Sequence, residues 1–277
     1  GLVIIDEQHK FGVSQRAKLW KNHNIVPHVL VMTATPIPRT LAMTAYGDLD
    51  VSVIDELPPN RKSVQTCHKY EKEIKDVYNF IFKELIKNRQ VYIVYPLIEE
   101  SKKLDYQNLL DGYSNIKEIF GKKGFDISIV HGKMKKEKKE LEIARFLRKD
   151  TQIMVATTVI EVGVNIPNAT IMVIQNAEKF GLSQLHQLRG RVGRGADQSH
   201  CFLVTSNKLT SDAKNRIKAM VDTNDGFAIA EIDLKIRGPG DILGTRQSGL
   251  INLKLSSLVK DYHILNQARN EAKLLLS

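Results

Sequence analysis

The 277 residues carry 41 Lys and Arg against 31 Asp and Glu, a formal charge of +10, with 42% hydrophobic and 26% charged residues. That balance suits a globular chain with sizeable cores and argues against a disordered one, while the basic excess favours a polyanionic partner. No stretch reaches the roughly 18 apolar residues that span a bilayer, and no signal peptide is visible, so a membrane or secreted protein is not expected. The length suggests two domains, or two and a fragment.

In chain order, the first apolar run is LVII (2–5), ending in Asp6, Glu7, Gln8 and His9. Runs of about 4–8 apolar residues without alternation suit strands buried on both faces, hence parallel sheets. Ligands collect in the crevice above the carboxyl ends of such strands. An Asp there holds Mg²⁺ through water, and a neighbouring Glu orients the water that attacks a γ-phosphate. The alternative is a pair of acids favouring a helix dipole. No second His follows at H-E-x-x-H spacing, which removes a metalloprotease. Because Gly1 already lies in a strand pattern, a piece of a larger protein is expected.

The second run, VLVM (29–32), leads into TATPIPRT (33–40). Thr33 and Thr35 offer hydroxyls at a strand end while Pro36 and Pro38 fix the backbone beyond, either as a relay from a nucleotide or as a simple turn. DELPPNRKS (55–63) continues neither a helix nor a central strand and reads as the linker.

Beyond it, VYIVY (91–95), ISIV (127–130), IMVA (153–156), IMVI (171–174) and CFLV (201–204) alternate with helical patterns. About six strands are expected over 64–205, a doubly wound α/β lobe. The clearest helix spans Glu71–Arg89, with Ile74, Val77, Tyr78, Ile81, Phe82, Leu85 and Ile86 on one stripe. The basic run KMKKEKK (133–139) reads as a solvated helix face. Cys67 and Cys201, far apart in sequence and in apolar surroundings, read as reduced core residues of a cytosolic protein.

ATTVIEVGVNIPNA (156–169) sets Thr157 and Thr158 after a strand, with Gly163 permitting close backbone approach. Hydroxyls and amides of this kind suit phosphate oxygens of nucleic acid, or form an ordinary strand-to-helix loop. QLHQLRGRVGRG (184–195) is the most specific segment. Ser183 is the expected N-cap, and Leu185, Leu188 and Val192 the buried stripe. Gln187, Arg191 and Arg194 fall at spacings of four and three, on one side of the helix and its end. Such a cluster matches the charge of a phosphoryl-transfer transition state; a solvated basic face is the alternative, poorly suited to three glycines.

Past Thr205 the pattern is helical: a hairpin of Ser211–Val221 and a second helix through Phe227, Ala230 and Leu234, ending at RGPGD. A Gly-rich loop (237–250) and an amphipathic helix through Leu258, Val259, Tyr262, Leu265 and Ala268 complete the chain.

These motifs stand in the order of superfamily-two helicases and translocases. DEQHKFGV, the stretch from VMTATPIPRT to DELPPNRK, YPLIEES, TTVIEVGVNIPNA with QLHQLRGRVGRG, and DLKIRGPGDILGTRQSGL closely resemble the RecG family of bacterial ATP-dependent DNA helicases over essentially the whole chain. The resemblance implies α/β architecture in three parts: the remnant of a first RecA-like motor lobe (1–57), a complete second lobe (58–208), and a helical hairpin, translocation loop and final helix (209–277). It implies a cytoplasmic, nucleoid-associated bacterial motor that uses ATP and Mg²⁺. The motor remodels stalled replication forks and four-way junctions on double-stranded DNA, with no membrane partner. The whole protein is expected to be monomeric, while a fragment with a truncated lobe self-associates.

By the same resemblance Asp6 binds Mg²⁺ and Glu7 is the catalytic base; Gln187, Arg191 and Arg194 complete the catalytic set. Gln8, His9, Thr33 and Thr35 couple hydrolysis to DNA. Thr157, Thr158, Arg237, Arg246 and Gln247 serve DNA binding and translocation. Two positions depart from the family: Asn165 replaces the usual Asp, and Lys10 the usual Arg, which loses bidentate geometry. No G-x-x-x-x-G-K-[ST] phosphate loop occurs in the sequence, so it is expected upstream, and these residues alone are expected to be inactive as an ATPase. The competing readings are a translocase like the transcription-repair coupling factor, and a catalytically silent DNA-binding module.

Overall fold

The computed structural model describes residues 1–6, 27–33, 52, 54, 62–96, 102–157, 166–237, 264, 267, 268, 271, 272, 274 and 275. The chain divides into two compact units, Gly1–Ser52 with Gly226–Ser277, and Val53–Asp225.

In the first unit, β1 (Leu2–Asp6) and β2 (His28–Met32) pair in parallel, with Asp6 opposite Met32. Only Ile5 of this pair is fully buried, and Leu2, Ile4, Leu30 and Met32 are exposed.

The second unit holds a six-stranded, all-parallel sheet. Its strands are β3 (Gln65–Tyr70), β4 (Gln90–Tyr95), β5 (Ile127–Val130), β6 (Ile153–Thr157), β7 (Ala169–Ile174) and β8 (His200–Thr205), in the order β3-β8-β7-β4-β6-β5. The four central strands β8, β7, β4 and β6 are nearly continuous apolar runs because both faces are covered. β3 differs: QTCHKY has no apolar run and is half exposed, as an edge strand permits.

Helices α1 (Ile74–Ile86), α2 (Lys102–Ile116), α3 (Lys136–Leu147), α4 (Leu182–Arg189) and α5 (Ser211–Asp222) connect or flank these strands. In α1, Val77, Ile81 and Leu85 recur every four residues and are buried, whereas Ile86 lies outside the stripe at 61% exposure. The first turn of the expected Glu71–Arg89 helix is a 3-10 turn (Glu71–Glu73), and the chain leaves α1 through Asn88 at φ 60°. The buried Gln90 amide donates to Phe146 O (2.6 Å) and Thr151 O (3.0 Å), while its oxygen accepts from Asn168. The basic run near 133–139 enters α3, where Lys135, Lys136 and Lys138 are exposed, as expected of a solvated face.

α5 packs against β3 and α4 and therefore belongs with the sheet unit. The division falls inside the expected hairpin, after Asp225, rather than before residue 209. α6 (Gly226–Arg237) belongs to the first unit and buries Ile229, Ala230 and Leu234. Residues 264, 267, 268, 271, 272, 274 and 275 are helical, in the region of the expected final helix; Leu258, Val259, Tyr262 and Leu265 lie outside the described residues. Both cysteines are free: Cys201 is buried and Cys67 half-buried. They occupy adjacent strands, but Cys201 pairs with Thr66 and Cys67 with Phe202. That one-residue offset sends the two thiols to opposite faces.

Candidate active site

In the first unit, the parallel register of β1 and β2 brings Asp6 and Thr33 to the same strand ends, because Thr33 follows the Met32 that faces Asp6. Both are exposed. One carboxylate beside a hydroxyl fits the donor chemistry of Mg²⁺, which keeps several waters and takes its other ligands from phosphates. Among the described residues no group of three or more His, Cys, Asp or Glu gathers, so no all-protein metal cage is present there. Glu7, Gln8, His9, Lys10, Thr35, Thr158, Asn165, Arg246 and Gln247 lie outside the described residues, as does the side chain of Arg237.

In the second unit the arginine segment is well defined. α4 starts two residues earlier than expected: Gly181, not Ser183, is the N-cap, and its N–H donates to Gln184 Oε1 at 3.0 Å. The helix also ends earlier, at Arg189, with Gly190 as C-cap. Gln187 is thus half-buried in the last turn of α4, while Arg191 and Arg194 stand in the turn beyond it. The expected common helix face is replaced by a loop that projects the two arginines. Glycine explains the difference. Gly193 adopts φ +76°, in the left-handed region, and a Cβ there would lie 2.7 Å from Val64 Cγ2. A Cβ on Gly195 would lie 2.9 Å from Pro167 O.

Arg191 is half-buried and Arg194 exposed, with Arg194 Nε donating to Gly190 O at 3.3 Å. Val192 between them is fully buried and anchors the turn. Both guanidinium charges act on Tyr92, whose phenol is pushed up by burial while Arg194 and then Arg191 oppose the shift. Downstream, Arg89 Nη1 binds Asp197 Oδ2 at 2.6 Å and fixes the exit of the segment.

This segment lies at the amino ends of the strands: Val64 precedes β3, Arg89 precedes β4, and Pro167 precedes β7. Thr157 closes β6 at the opposite, carboxyl edge. The structure therefore separates the arginines from Thr157. The Thr157 hydroxyl is buried, with no hydrogen-bond partner among the described residues.

Sequence reasoning misses Arg189, which looks there like one more basic residue of the segment; in the fold it is 3% exposed. Its guanidinium donates to Met220 O (2.8 Å), Thr223 O (2.9 Å) and Thr66 Oγ1 (3.3 Å), and meets His186 Nδ1 at 3.2 Å. Burial lowers its pKa, yet a guanidinium keeps its proton in proteins. The same burial, with Arg189 alongside, brings His186 down to about 4, so that ring is neutral at pH 7. The signal is present in the sequence: Arg189 falls four residues after Leu185 and three before Val192, on the apolar stripe itself.

Residues 72–196 match the helicase conserved C-terminal domain, and residues 223–277 match ATP-dependent DNA helicase RecG, domain 3, C-terminal. A solved structure of the helicase Lhr from Mycobacterium smegmatis, bound to ssDNA and AMP-PNP, shares the fold. Its TM-score is 0.57 at 17% identity, covering 81% of this chain and 31% of that one. The sheet order and the glycine-pinned arginine turn thus define the second, RecA-like motor lobe of a helicase.

A RecG structure bound to a three-way DNA junction matches at TM-score 0.71 and 42% identity, over 96% of this chain and 33% of that one. ATP-dependent DNA helicase RecG of Synechocystis is 55% identical over 100% of this chain and 33% of its own length. Those of Bacillus subtilis (51% identical, 100% of this chain) and Escherichia coli K12 (48%, 98%) are each covered over 40% of their length. The chain belongs to the RecG family. It spans between a third and two-fifths of the length of these relatives.

Proposed function

We propose that the chain is the C-terminal motor portion of an ATP-dependent translocase on double-stranded DNA that remodels stalled replication forks and branched recombination intermediates. The observation that carries the reading is the turn of Arg191 and Arg194, pinned by Gly193 and Gly195 in a chain of the RecG family. Two cations held on a rigid turn suit charge that develops on a transferring γ-phosphate. Asp6 would hold Mg²⁺ through water, the ion when bound offsetting phosphate charge, and Glu7 would orient the attacking water. Gln187 completes the catalytic set. Gln8, His9, Thr33 and Thr35 carry the state of the nucleotide to the DNA side. Thr157, Thr158, Arg237, Arg246 and Gln247 serve DNA contact and translocation.

The preference for branched DNA is supported by the three-way junction bound to the RecG relative. Identity of 48–55% to proteins named RecG favours this reading over a coupling-factor-like translocase. We place the working protein in the bacterial cytoplasm, at the nucleoid, as a monomer.

The test is Arg194→Ala in the full-length protein. DNA-stimulated ATP hydrolysis is expected to fall by about 10³-fold or more while nucleotide binding changes little, because a finger acts chiefly in the transition state. Unchanged turnover removes the assignment. A polypeptide of these 277 residues alone, lacking any G-x-x-x-x-G-K-[ST], is expected to show no DNA-stimulated ATPase. Robust Mg²⁺-dependent turnover by it contradicts this division of labour.

A further inference from the structure

We infer that Arg189 is a positioning residue for the phosphoryl transfer proposed above: it anchors the entrance of the turn that carries Arg191 and Arg194, using the C-terminal end of α5 as its fixed support. The inference rests on that reading of the two arginines.

The last turn of a helix leaves carbonyls without partners inside the helix, and a cation is favourable there. α5 has no basic residue in its own last turn. Arg189 supplies the cation from α4, donating to Met220 O in that turn and to Thr223 O at the C-cap. A third bond reaches Thr66 on β3, and the fourth contact, His186, lies one turn back on α4. These four groups are neutral, and the Asp225 carboxylate acts on the His186 ring among them. An arginine serving only stability at such cost would more commonly face a carboxylate, since burying an unpaired charge is unfavourable.

Placement gives this network its consequence. Gly190 follows Arg189 immediately, and the arginine turn begins there. Downstream, the same turn passes too close to Val64 at Gly193 and to Pro167 at Gly195 to admit a Cβ, and the Arg89–Asp197 ion pair fixes its exit. Upstream, the side chain of Arg189 joins the turn to β3 and α5. Without it, the end of α4 keeps its apolar contacts through Leu185 and Leu188 but loses the polar lock that fixes the direction in which Arg191 and Arg194 leave the helix. Catalysis by pre-placed charge is sensitive to this, since a misplacement of about 1 Å costs about 10²-fold.

The experiment uses full-length protein and steady-state ATPase assays at saturating branched DNA, with active sites counted by titration with a nonhydrolysable ATP analogue. Arg189→Met, which keeps length and removes the donors, is expected to lower kcat per site by about tenfold to hundredfold while KM for ATP stays within about threefold. Arg189→Lys is expected to recover part of the loss, because an ammonium reaches fewer of these carbonyls. A merely structural role predicts fewer active sites with unchanged kcat in each. The inference is overturned if kcat per site in Arg189→Met stays within about twofold of wild type, or if the loss is all in KM. Should Arg189→Met fail to fold, Arg189→Lys decides alone: an undiminished kcat overturns the role. Wild-type protein without DNA-stimulated hydrolysis would instead sink the motor reading itself.

Discussion

Gly193→Ala isolates the physical reason for the arginine turn. Two costs arise at once. The residue adopts φ +76°, and a left-handed conformation costs a residue with a Cβ about 1–2 kcal/mol. The new methyl would also lie 2.7 Å from Val64 Cγ2, too close for carbon atoms, and Val64 is itself buried. Overpacking of this kind costs typically about 1–3 kcal/mol. The expected destabilisation is thus about 2–5 kcal/mol, read as a lowered urea midpoint of the sheet unit by circular dichroism. A second variant separates the shares. Val64→Ala opens the space but leaves the backbone strained, so the double variant is expected to regain about 1 kcal/mol or more over the sum of the single changes. A loss below about 0.5 kcal/mol for Gly193→Ala, or strict additivity with Val64→Ala, refutes this account of the turn.

Protonation of His186 gives a pH test. Its folded pKa, about 4, lies below the ordinary 6.5, so the unfolded chain takes up the proton first. Its stabilisation is complete above pH 6.5 and is lost as the pH falls toward 4, by at most about 3 kcal/mol at 1.36 kcal/mol per pH unit. His186→Gln is expected to flatten that part of the stability profile; an unaltered slope between pH 7 and 4 assigns the dependence elsewhere. Gln90→Leu leaves the Thr151 carbonyl without its donor in a buried site, while the Phe146 carbonyl keeps the Lys149 N–H at 3.1 Å. A loss of about 2 kcal/mol is expected in thermal unfolding, and a change under about 0.5 kcal/mol means that another group satisfies the Thr151 carbonyl.

The apolar strands are legible because both faces of the central sheet are covered, so VYIVY, IMVA, IMVI and CFLV announce themselves. β3 can be counted but not located by pattern, since QTCHKY at the sheet edge leaves most of its side chains half exposed. The arginine cluster is legible by composition, its geometry less so. A 3.6-residue period continues through Val192, yet Gly190 and Gly193 stop the helix three residues short of it. Periodicity reports burial, and Val192 is buried in a turn as fully as it would be in a helix. The division after Asp225 is not legible because the two hairpin helices look alike in sequence, while α5 packs on β3 and α6 belongs to the first unit. Thr157 draws notice for the hydroxyl it offers; the fold buries that hydroxyl.

The placement of the arginine turn and Thr157 at opposite strand ends has an electrostatic corollary. β6 is five residues long, and at about 3.3 Å per residue its two ends stand about 16 Å apart. At an effective dielectric constant of about 20, unit charges at that separation influence each other by about 1 kcal/mol, and salt reduces this further. A phosphate engaged at one rim therefore sends only a faint field to the other. Under the function proposed above, what one rim reports to the other would then travel as displacement of close-packed strands, and added salt is expected to weaken DNA grip well before it blunts the response of hydrolysis to DNA already bound.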